Sequence, residues 1–224
     1  GLTWTSSKVA DGAHAVVEFD ASATTMVAAG SNGDQYVSSD LVTWTPSPVV
    51  TSGLYSHNDV AFGAQHFIST INGFGGQTYA SSDGATWTPL SGLAAPGGGY
   101  IESGNGVLLL SFNSDYRRST DGSTFTTSTP SLPAGWLLGG APRFAGGRFL
   151  ALSINYLAGK NGYLVSTDGL TWETFGTPPT APAAPAGQSR GYTFVDLAYG
   201  NGKYVLVGND IAQTAFSITK LPLI

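Results

Sequence analysis

Acidic side chains at matching places in an internal repeat are the residues of this chain best suited to catalysis. Hydrolysis of a glycosidic bond needs two carboxylates at one site. The candidate acids fall in the first predicted strand of separate repeat units: Glu18, Asp59, Glu102 and Asp196. The spacing predicts one register for Glu18, Glu102 and Arg143 and the adjacent register for Asp59 and Asp196, which would point the two sets to different sides. Because Asp59, Glu102 and Asp196 belong to three different units, a hydrolase site stays open as an alternative.

Histidines offer a second kind of site. His14 and His57 lie 43 residues apart, as do Asp40 and Asp83, so the two histidines take the same position in successive repeat units. No third residue with metal-ligand chemistry has a suitable spacing. No nucleotide-binding or phosphate-binding motif occurs in the chain. We therefore expect neither a metal ion nor a cofactor.

Recognition is the third chemistry, because the predicted loops at one end of the units carry aromatic residues beside polar ones. An aromatic ring can cover the C–H face of a sugar, while amide, carboxylate and guanidinium groups bind its hydroxyls. The predicted ligand-binding residues are Tyr55, His57, Asn58, Tyr100, Trp136, Tyr156, Arg190, Tyr192 and Asp210, with Lys160 and Asn209 beside them. The alternative is that single aromatics pack down as loop anchors, above all Trp136, which Leu137 and Leu138 follow.

A segment of nine or ten residues recurs four times and organises the chain. The copies are residues 36–44, 79–87, 116–125 and 163–172, and residues 1–5 read like the second half of another copy. The aromatic residues of the copies are Trp4, Trp44, Trp87, Phe125 and Trp172, at steps of 40, 43, 38 and 47 residues. Self-similarity at such a period is the signature of a repeat architecture.

Each unit reads as three strands followed by the strand that the repeated segment supplies. Tight turns such as Gly200-Asn201-Gly202 separate the first two strands, and no segment shows sustained helical periodicity. Four antiparallel strands in about 40–45 residues form the blade of a β-propeller, which manages its sheet edges by radial repetition. We predict an all-β, five-bladed β-propeller in one domain, residues 1–224. The predicted blades are 12–46, 55–89, 98–127, 139–174 and 190–224. The N-terminal strand, residues 1–5, is expected to complete the last blade and close the ring.

The core of the repeated segment, seen in Ser166–Trp172, resembles the Asp-box (BNR) repeat of sialidase-like propellers. In that family the Asp box is a hairpin on the outer part of the blade, away from the catalytic face. The resemblance implies a structural role for the aspartates: Asp40, Asp83, Asp121 and Asp168. The carboxylate can accept backbone N–H groups across the turn, the glycine takes positive φ, and the aromatic packs between sheets. We expect looser turns in copy one, which has Leu41 for the glycine, and in copy three, which has Phe125 for the tryptophan.

A sialidase itself is not expected. Such an enzyme clasps the carboxylate of its substrate with three arginines, and of the five arginines in this chain only Arg143 and Arg190 fit the predicted binding face. A narrower resemblance points elsewhere. The segment Leu197–Gly208 is similar to repeats of bacteriophage tail and tail-fibre proteins, which implies a role in host recognition.

Composition is consistent with that setting and excludes other partners. Only 10% of the residues are charged, which is common in rigid all-β extracellular or virion proteins. The net charge of −5 argues against nucleic acid or an anionic membrane as the main partner. No apolar run approaches 18 residues, so no membrane insertion is expected. The chain has no cysteine, so disulfides do not contribute.

The sequence therefore favours a non-catalytic recognition module. Its expected partner is a glycan or protein receptor on the bacterial cell surface, bound as part of a phage tail. Other tail subunits are a second expected class of partner, for example in a homotrimer, and the expected location is the virion or the extracellular space. The first alternative is a secreted or surface lectin-like propeller, and the second is a glycoside hydrolase.

Overall fold

The computed structural model describes Val9, Val49 and residues 16–30, 34–47, 56–72, 76–93, 99–112, 115–139, 141–157, 160–175, 192–210 and 215–217. Within these ranges the chain is all-β, with twenty strands and no helix. Accordingly, no helix in this part of the chain is long and apolar enough to span a bilayer. The residues group into two compact units, one within Gly1–Ser128 and one within Thr129–Ile224.

The first unit contains three four-stranded antiparallel sheets with consecutive strand order. The strands of sheet 1 are β1 Val16–Ala21, β2 Met26–Gly30, β3 Gln35–Ser38 and β4 Thr45–Pro46. Those of sheet 2 are β5 Ser56–Gly63, β6 His66–Asn72, β7 Thr78–Ser81 and β8 Thr88–Pro89. Those of sheet 3 are β9 Tyr100–Gly104, β10 Val107–Phe112, β11 Asp115–Ser119 and β12 Thr126–Ser128. The first strands β1, β5 and β9 lie next to one another in this order.

The second unit contains two antiparallel sheets. The strands of sheet 4 are β13 Trp136–Leu138, β14 Arg143–Ala145, β15 Arg148–Asn155, β16 Lys160–Ser166 and β17 Glu173–Thr174. The strands of sheet 5 are β18 Tyr192–Gly200, β19 Lys203–Asp210 and β20 Ala215–Ser217.

Sheet 4 departs from the predicted four strands, because β13 and β14 both pair with β15. Trp136 pairs with Asn155 and Arg143 pairs with Leu150, so the first strand of this sheet is split in two. Pro142, just before β14, has no backbone N–H to donate to the ladder, which explains an interruption at this place. In sheet 5 the described part has three strands, and residues 1–5, predicted to supply a fourth, lie outside the described residues.

The predicted tight turns between first and second strands are confirmed in four sheets. Both central residues have positive φ, as in Asn105-Gly106 at 49° and 74° and in Gly146-Gly147 at 59° and 77°. Such turns match the twist of the two strands that they join. In sheet 2, Ala64 and Gln65 adopt the same region without a glycine, at 49° and 64°.

The cores lie between neighbouring sheets. One core cluster joins Val27 and Ala29 of sheet 1 to Val60 and Phe67 of sheet 2, and another joins Ile68 of sheet 2 to Leu108 of sheet 3. In the second unit, Leu150, Tyr163 and Val165 pack with Tyr204 of the next sheet. Phe67 and Ile68 are adjacent in β6 and pack against opposite neighbours, so sheet 2 is apolar on both faces.

The antiparallel order sorts the connections into two ends. In each of sheets 1 to 4, the turn before the second strand and the hairpin formed by the Asp box lie at one end, here named the Asp-box end. The connection between the second and third strands and the links to the next sheet lie at the other end, here named the opposite end. The sequence placed its predicted binding residues at this opposite end.

Candidate functional site

Each Asp box is a closed hydrogen-bonded turn. In copy two, Asp83 Oδ1 accepts the backbone N–H groups of Ala85 and Thr86, both at 2.8 Å. Ser81 Oγ donates to the same oxygen at 2.9 Å and accepts the N–H of Gly84 at 2.8 Å. The aspartates of the other three copies each accept two backbone N–H groups in the same way, at 2.7–3.0 Å: Asp40, Asp121 and Asp168.

These bonds set the charge state of the Asp boxes. The backbone N–H groups of Thr43 and Val42 lower the pKa of Asp40 to about 2, and the equivalent bonds lower the pKa of Asp83 and that of Asp121. A carboxylate that accepts several N–H bonds is held in its ionised form. In these three copies the carboxylate is therefore ionised and hydrogen-bonded to the backbone of its own turn.

The turn of copy one is not looser in its geometry, contrary to expectation. Leu41 adopts a φ of 64° where the other copies have glycine, and its N–H reaches Ser38 Oγ at 2.9 Å. The copies differ at the aromatic residue instead. The indole Nε1 of Trp87 and that of Trp172 each donate to the carbonyl of their own box glycine at 3.2 Å. Trp44 Nε1 is buried and has no hydrogen-bond partner among the described residues.

The Asp-box glycine also sets how closely two sheets approach. A Cβ built on Gly84 would lie 2.7 Å from Val27 Cγ2 of the preceding sheet, and one on Gly122 would lie 2.9 Å from His66 Cβ. Real Cβ atoms do not come this close to other atoms. Each of these two box turns therefore packs against the sheet before it, and glycine is required there for space as well as for positive φ.

Asp59, a sequence candidate for catalysis, joins two sheets. Its side chain is 3% exposed, and its Oδ2 accepts the N–H of Ile101 in β9 at 3.1 Å. Asp20 does the same one sheet earlier, where its Oδ2 accepts the N–H of Phe62 in β5 at 2.7 Å. Burial raises the pKa of Asp20, and the N–H groups of Phe62 and Ala21 offset part of this. The two acids clamp neighbouring sheets together, and the sequence had not singled out Asp20.

The predicted register of the acids is wrong. Glu18 pairs with Ala29 in a ladder that is unbroken from Ala21, and a bulge lies just before it at Val17; equivalent bulges precede the acids in β5 and β18. The strand ladders give three acids the same position in their sheets: Glu18, Asp59 and Asp196. Another common position, two residues further along the strand, is held by Asp20, Glu102 and Arg143. Residues two apart share a face, so the two sets do not point to different sides.

Most of the predicted ligand-binding residues fall where little is described. Two lie outside the described residues altogether, Tyr55 and Arg190, as does His14, the repeat partner of His57. Others lie on described strands while their side chains are outside the description: His57, Asn58, Lys160, Tyr192, Asn209 and Asp210.

Three predicted residues are described, and all lie at the opposite end of their own sheets. Tyr100 is exposed at the start of β9. Tyr156 is 60% exposed in the turn after β15, and its N–H donates to the carbonyl of Gly135 at 3.0 Å. Trp136 lies in β13 and is half-buried, with its ring so close to Gly162 that any Cβ there would overlap it. Trp136 thus packs down on its sheet, which was the alternative considered from the sequence.

Two exposed leucines lie at the same sheet end as Tyr156, and the sequence does not predict them as site residues. Leu157 is 72% exposed and Leu137 is 54% exposed. Leu157 lies over Gly135, where a Cβ would be 2.7 Å from Leu157 Cδ1, and Gly135 has a φ of 80°. We name Leu137, Tyr156 and Leu157 the end patch. In the sequence these residues belong to two apolar pairs, Leu137-Leu138 and Tyr156-Leu157. Such pairs beside predicted strands are typical of core residues, so they do not indicate a surface site.

The described side chains offer no metal site, since no group of three His, Cys, Asp or Glu residues among them could hold an ion. The aspartates instead bind backbone N–H groups, either within an Asp-box turn, as Asp83 does, or in the neighbouring sheet, as Asp20 and Asp59 do. What this geometry provides is a hydrogen-bonded scaffold at the Asp-box end and exposed apolar side chains at the opposite end.

Comparison with known proteins identifies the fold. No protein-family model matches the chain, and no curated protein matches it either. A chain from a study of two prolyl endopeptidases aligns at 13% identity over 89% of this chain and 33% of that chain, with a TM-score of 0.55. YCF48 from Cyanidioschyzon merolae aligns at 13% identity over 94% of this chain and 87% of that chain, with a TM-score of 0.50.

Both of these structural neighbours are β-propeller folds. The chain is all-β and its solved neighbours are β-propellers. At such identities the likeness concerns the fold alone. The Asp-box and phage-tail assignments continue to rest on the resemblance of the repeated segments.

Proposed function

We propose that this protein is a non-catalytic recognition module that binds a structure on the bacterial cell surface as part of a phage tail. The observation that carries the proposal is the contrast between the two ends of the sheets. At the Asp-box end, the carboxylates of the Asp boxes are bound to backbone N–H groups. At the opposite ends of their own sheets, Tyr100 and Tyr156 are each exposed, as binding requires.

The state of the acids supports binding over catalysis. A hydrolase needs a general acid and a base or nucleophile that can reach the substrate. Asp59 is buried with its carboxylate on the N–H of Ile101, and the aspartates of the Asp boxes hold their own turns. A glycoside hydrolase would therefore have to work with Glu18, Glu102 and Asp196, and it is the less favoured alternative.

We propose further that the sheets are five blades of one closed ring in a single domain of residues 1–224. Four sheets contain an Asp box followed by a last strand, whereas sheet 5 has three described strands. Residues 1–5 carry the second half of a further Asp box. In the proposed ring this N-terminal strand completes the last blade. Deletion of residues 1–5 should then lower the melting temperature, and an unchanged melting temperature would contradict closure.

A secreted or surface lectin-like propeller is the alternative within the same class of function, since exposed tyrosines also serve a lectin. The two differ in setting, which is a virion for one and the outside of a cell for the other. Both predict binding without turnover of the ligand.

Fluorescently labelled full-length protein tests the proposal on intact cells of a panel of bacterial strains, with flow cytometry as the readout and release of reducing sugar measured in parallel. Saturable binding to some strains without released sugar is the expected result. Release of reducing sugar that Glu102→Gln abolishes would overturn the proposal. Asp59→Asn is a poor test of catalysis, because it also disturbs an inter-sheet hydrogen bond.

A further inference from the structure

We propose that a cleft at the Asp-box end of sheet 1 is a binding site for one neutral sugar residue. The cleft has a volume of about 200 Å³ and lies between the turn of residues 22–25 and the Asp box of copy one. We name it the sheet 1 cleft. The inference goes beyond the proposed function, which places recognition at the opposite end of the sheets.

Sheet 1 departs from the other sheets at two places, and both line the cleft. Four residues, 22–25, join its first two strands, whereas two residues do so in each of sheets 2 to 5. Its Asp box has Leu41 where the boxes of sheets 2 to 4 have glycine. Scaffold positions repeat from sheet to sheet, so two departures at one cavity indicate a role that this sheet does not share with the others.

Leu41 adopts a conformation that costs stability. Its φ of 64° lies in the left-handed region, which residues with a Cβ disfavour. Its side chain is 50% exposed, so packing in a core does not account for the leucine. Strained residues persist where the strain is part of a function. The side chain of Leu41 therefore serves the cleft, where it offers an apolar surface to a ligand.

Two hydrogen-bonded turns form the walls of the sheet 1 cleft. Ser22 Oγ accepts the N–H of Thr25 at 3.0 Å and donates to the carbonyl of the same residue at 3.2 Å. Ser38 Oγ accepts the N–H of Leu41 at 2.9 Å and donates to Asp40 Oδ1 at 3.1 Å. A site fixed in this way loses little conformational entropy when a ligand binds, which favours affinity.

Met26 forms the floor of the cleft. It pairs with Ala21 on one side and with Ser38 on the other, so these three side chains lie in a row on one face of the sheet. The next residue, Val27, packs against sheet 2, so the row lies on the face turned away from sheet 2. The cleft therefore combines an aliphatic floor with the aliphatic side chain of Leu41.

The charge of the site favours a neutral ligand. None of the described residues that line the cleft is charged. The two acids beside it in sequence are engaged elsewhere. Asp20 Oδ2 accepts the N–H of Phe62 in the next sheet, and Asp40 Oδ1 accepts that of Val42 in its own turn. A charged ligand would give up hydration here without gaining an opposite charge.

The polar groups of the cleft are hydroxyls. The side chains of Thr24 and Ser39 are exposed, and a hydroxyl can both donate and accept a hydrogen bond, as those of a sugar do. The C–H groups of the same sugar can cover Leu41 and Met26, which removes apolar surface from water. Sites for drug-sized ligands measure about 300–1,000 Å³, so this smaller cleft fits a single ring.

Met26 makes the inference directly testable, because it is the only methionine of the chain. Carbon-13 labelling of its methyl group gives the full-length protein one NMR signal, and that signal comes from the floor of the cleft. The probes are glucose, galactose, mannose, rhamnose and N-acetylglucosamine, with glucuronic acid and glucosamine as charged counterparts. We expect a saturable shift of the signal with at least one neutral sugar and none with the charged ones at the same concentrations.

Variants show whether the walls of the cleft make the contact. Leu41→Gly should bind the sugar at least tenfold more weakly although it relieves the left-handed conformation of the leucine. Thr24→Ala combined with Ser39→Ala should weaken binding by the same factor at an unchanged melting temperature. Ser82→Ala is the matched control, since Ser82 holds the position of Ser39 in the Asp box of sheet 2, and it should leave the Kd as in the wild type.

Three results would overturn the inference. They are the absence of a shift with every neutral sugar up to its solubility limit, an unchanged Kd in Leu41→Gly, and an equal shift with a charged sugar. A shift that follows protein concentration without sugar would also overturn it, since a second copy of this chain would then fill the cleft. The proposed function fails by a separate result, the loss of saturable binding of the wild type to bacterial cells.

Discussion

Replacing Asp59 by alanine should destabilise the protein, because its carboxylate joins two sheets. The change removes the acceptor of the Ile101 N–H at 3.1 Å and leaves that buried donor without its bond. A stranded buried donor costs about 1–3 kcal/mol. For a chain of this size, each kcal/mol lowers the melting temperature by roughly 2–4 °C. Thermal and urea denaturation, followed by tryptophan fluorescence, measure the effect.

Two further variants make this prediction sharp. Asp59→Asn keeps one side-chain oxygen that can accept the Ile101 N–H, so it should lose less stability than alanine does. Glu173→Ala is the matched control, since Glu173 is an exposed acid whose ion pair with Arg148 spans 3.6 Å, and such surface pairs contribute about 0–1 kcal/mol. If Asp59→Ala and Glu173→Ala unfold at the same urea concentration, the hydrogen bond between Asp59 and Ile101 does not stabilise the packing of the two sheets.

Three other predictions concern the turns. Gly122→Ala should destabilise by about 1–3 kcal/mol more than Gly106→Ala in urea denaturation, because both have positive φ but only Gly122 meets a neighbour, His66; equal losses would contradict the packing role of the box turn. Leu41→Gly should stabilise by about 1 kcal/mol by relieving a left-handed conformation at an exposed position, and a loss would show that the leucine side chain matters there. The carboxyl of Asp40 should titrate near pH 2 in carbon-detected NMR. Because its pKa in the folded protein lies below that in the unfolded chain, it contributes fully to stability above about pH 4, and this contribution is lost as the pH falls toward 2. A titration midpoint near pH 4 would contradict the hydrogen bonds to the carboxylate.

The sheets and turns could be predicted because they depend on local sequence. Glycine and asparagine at the hairpin turns provide the positive φ values that these turns need, and Asn105-Gly106 and Asn201-Gly202 adopt them. The Asp box could be assigned to the scaffold for the same reason, since the bonds from Ala85 and Thr86 to Asp83 span only two and three residues.

The fate of the acids could not be predicted because it depends on contacts between residues far apart in sequence. Asp20 and Asp59 each bind a backbone N–H that lies 42 residues further on, and such a bond requires the spacing of two packed sheets. The register of Glu18 depends on strand pairing as well: Glu18 lies opposite Ala29 in the same ladder position that Asp59 takes opposite Thr70. The hydrophobic pattern of a strand does not show which residues of its neighbour it will face.

The end patch could not be predicted from the sequence for a different reason. Leucines beside strands are normally core, and the sequence does not show that Leu137 and Leu157 lie at a sheet end where no described element covers them. Trp136 shows the reverse case. It was placed in a binding loop, but the glycine at position 162, two strands away in the sheet, lets its ring pack down.

The central claim is recognition through the opposite end of the sheets, and binding to intact bacteria by two variants tests it most directly. Leu157→Asp combined with Tyr156→Ala changes the opposite end of sheet 4, whereas Glu173→Lys changes the Asp-box end of the same sheet. The account predicts that the first variant loses binding at least tenfold while the second binds as the wild type does, with no sugar released by either. Equal binding by the two variants, or loss in Glu173→Lys alone, would contradict it.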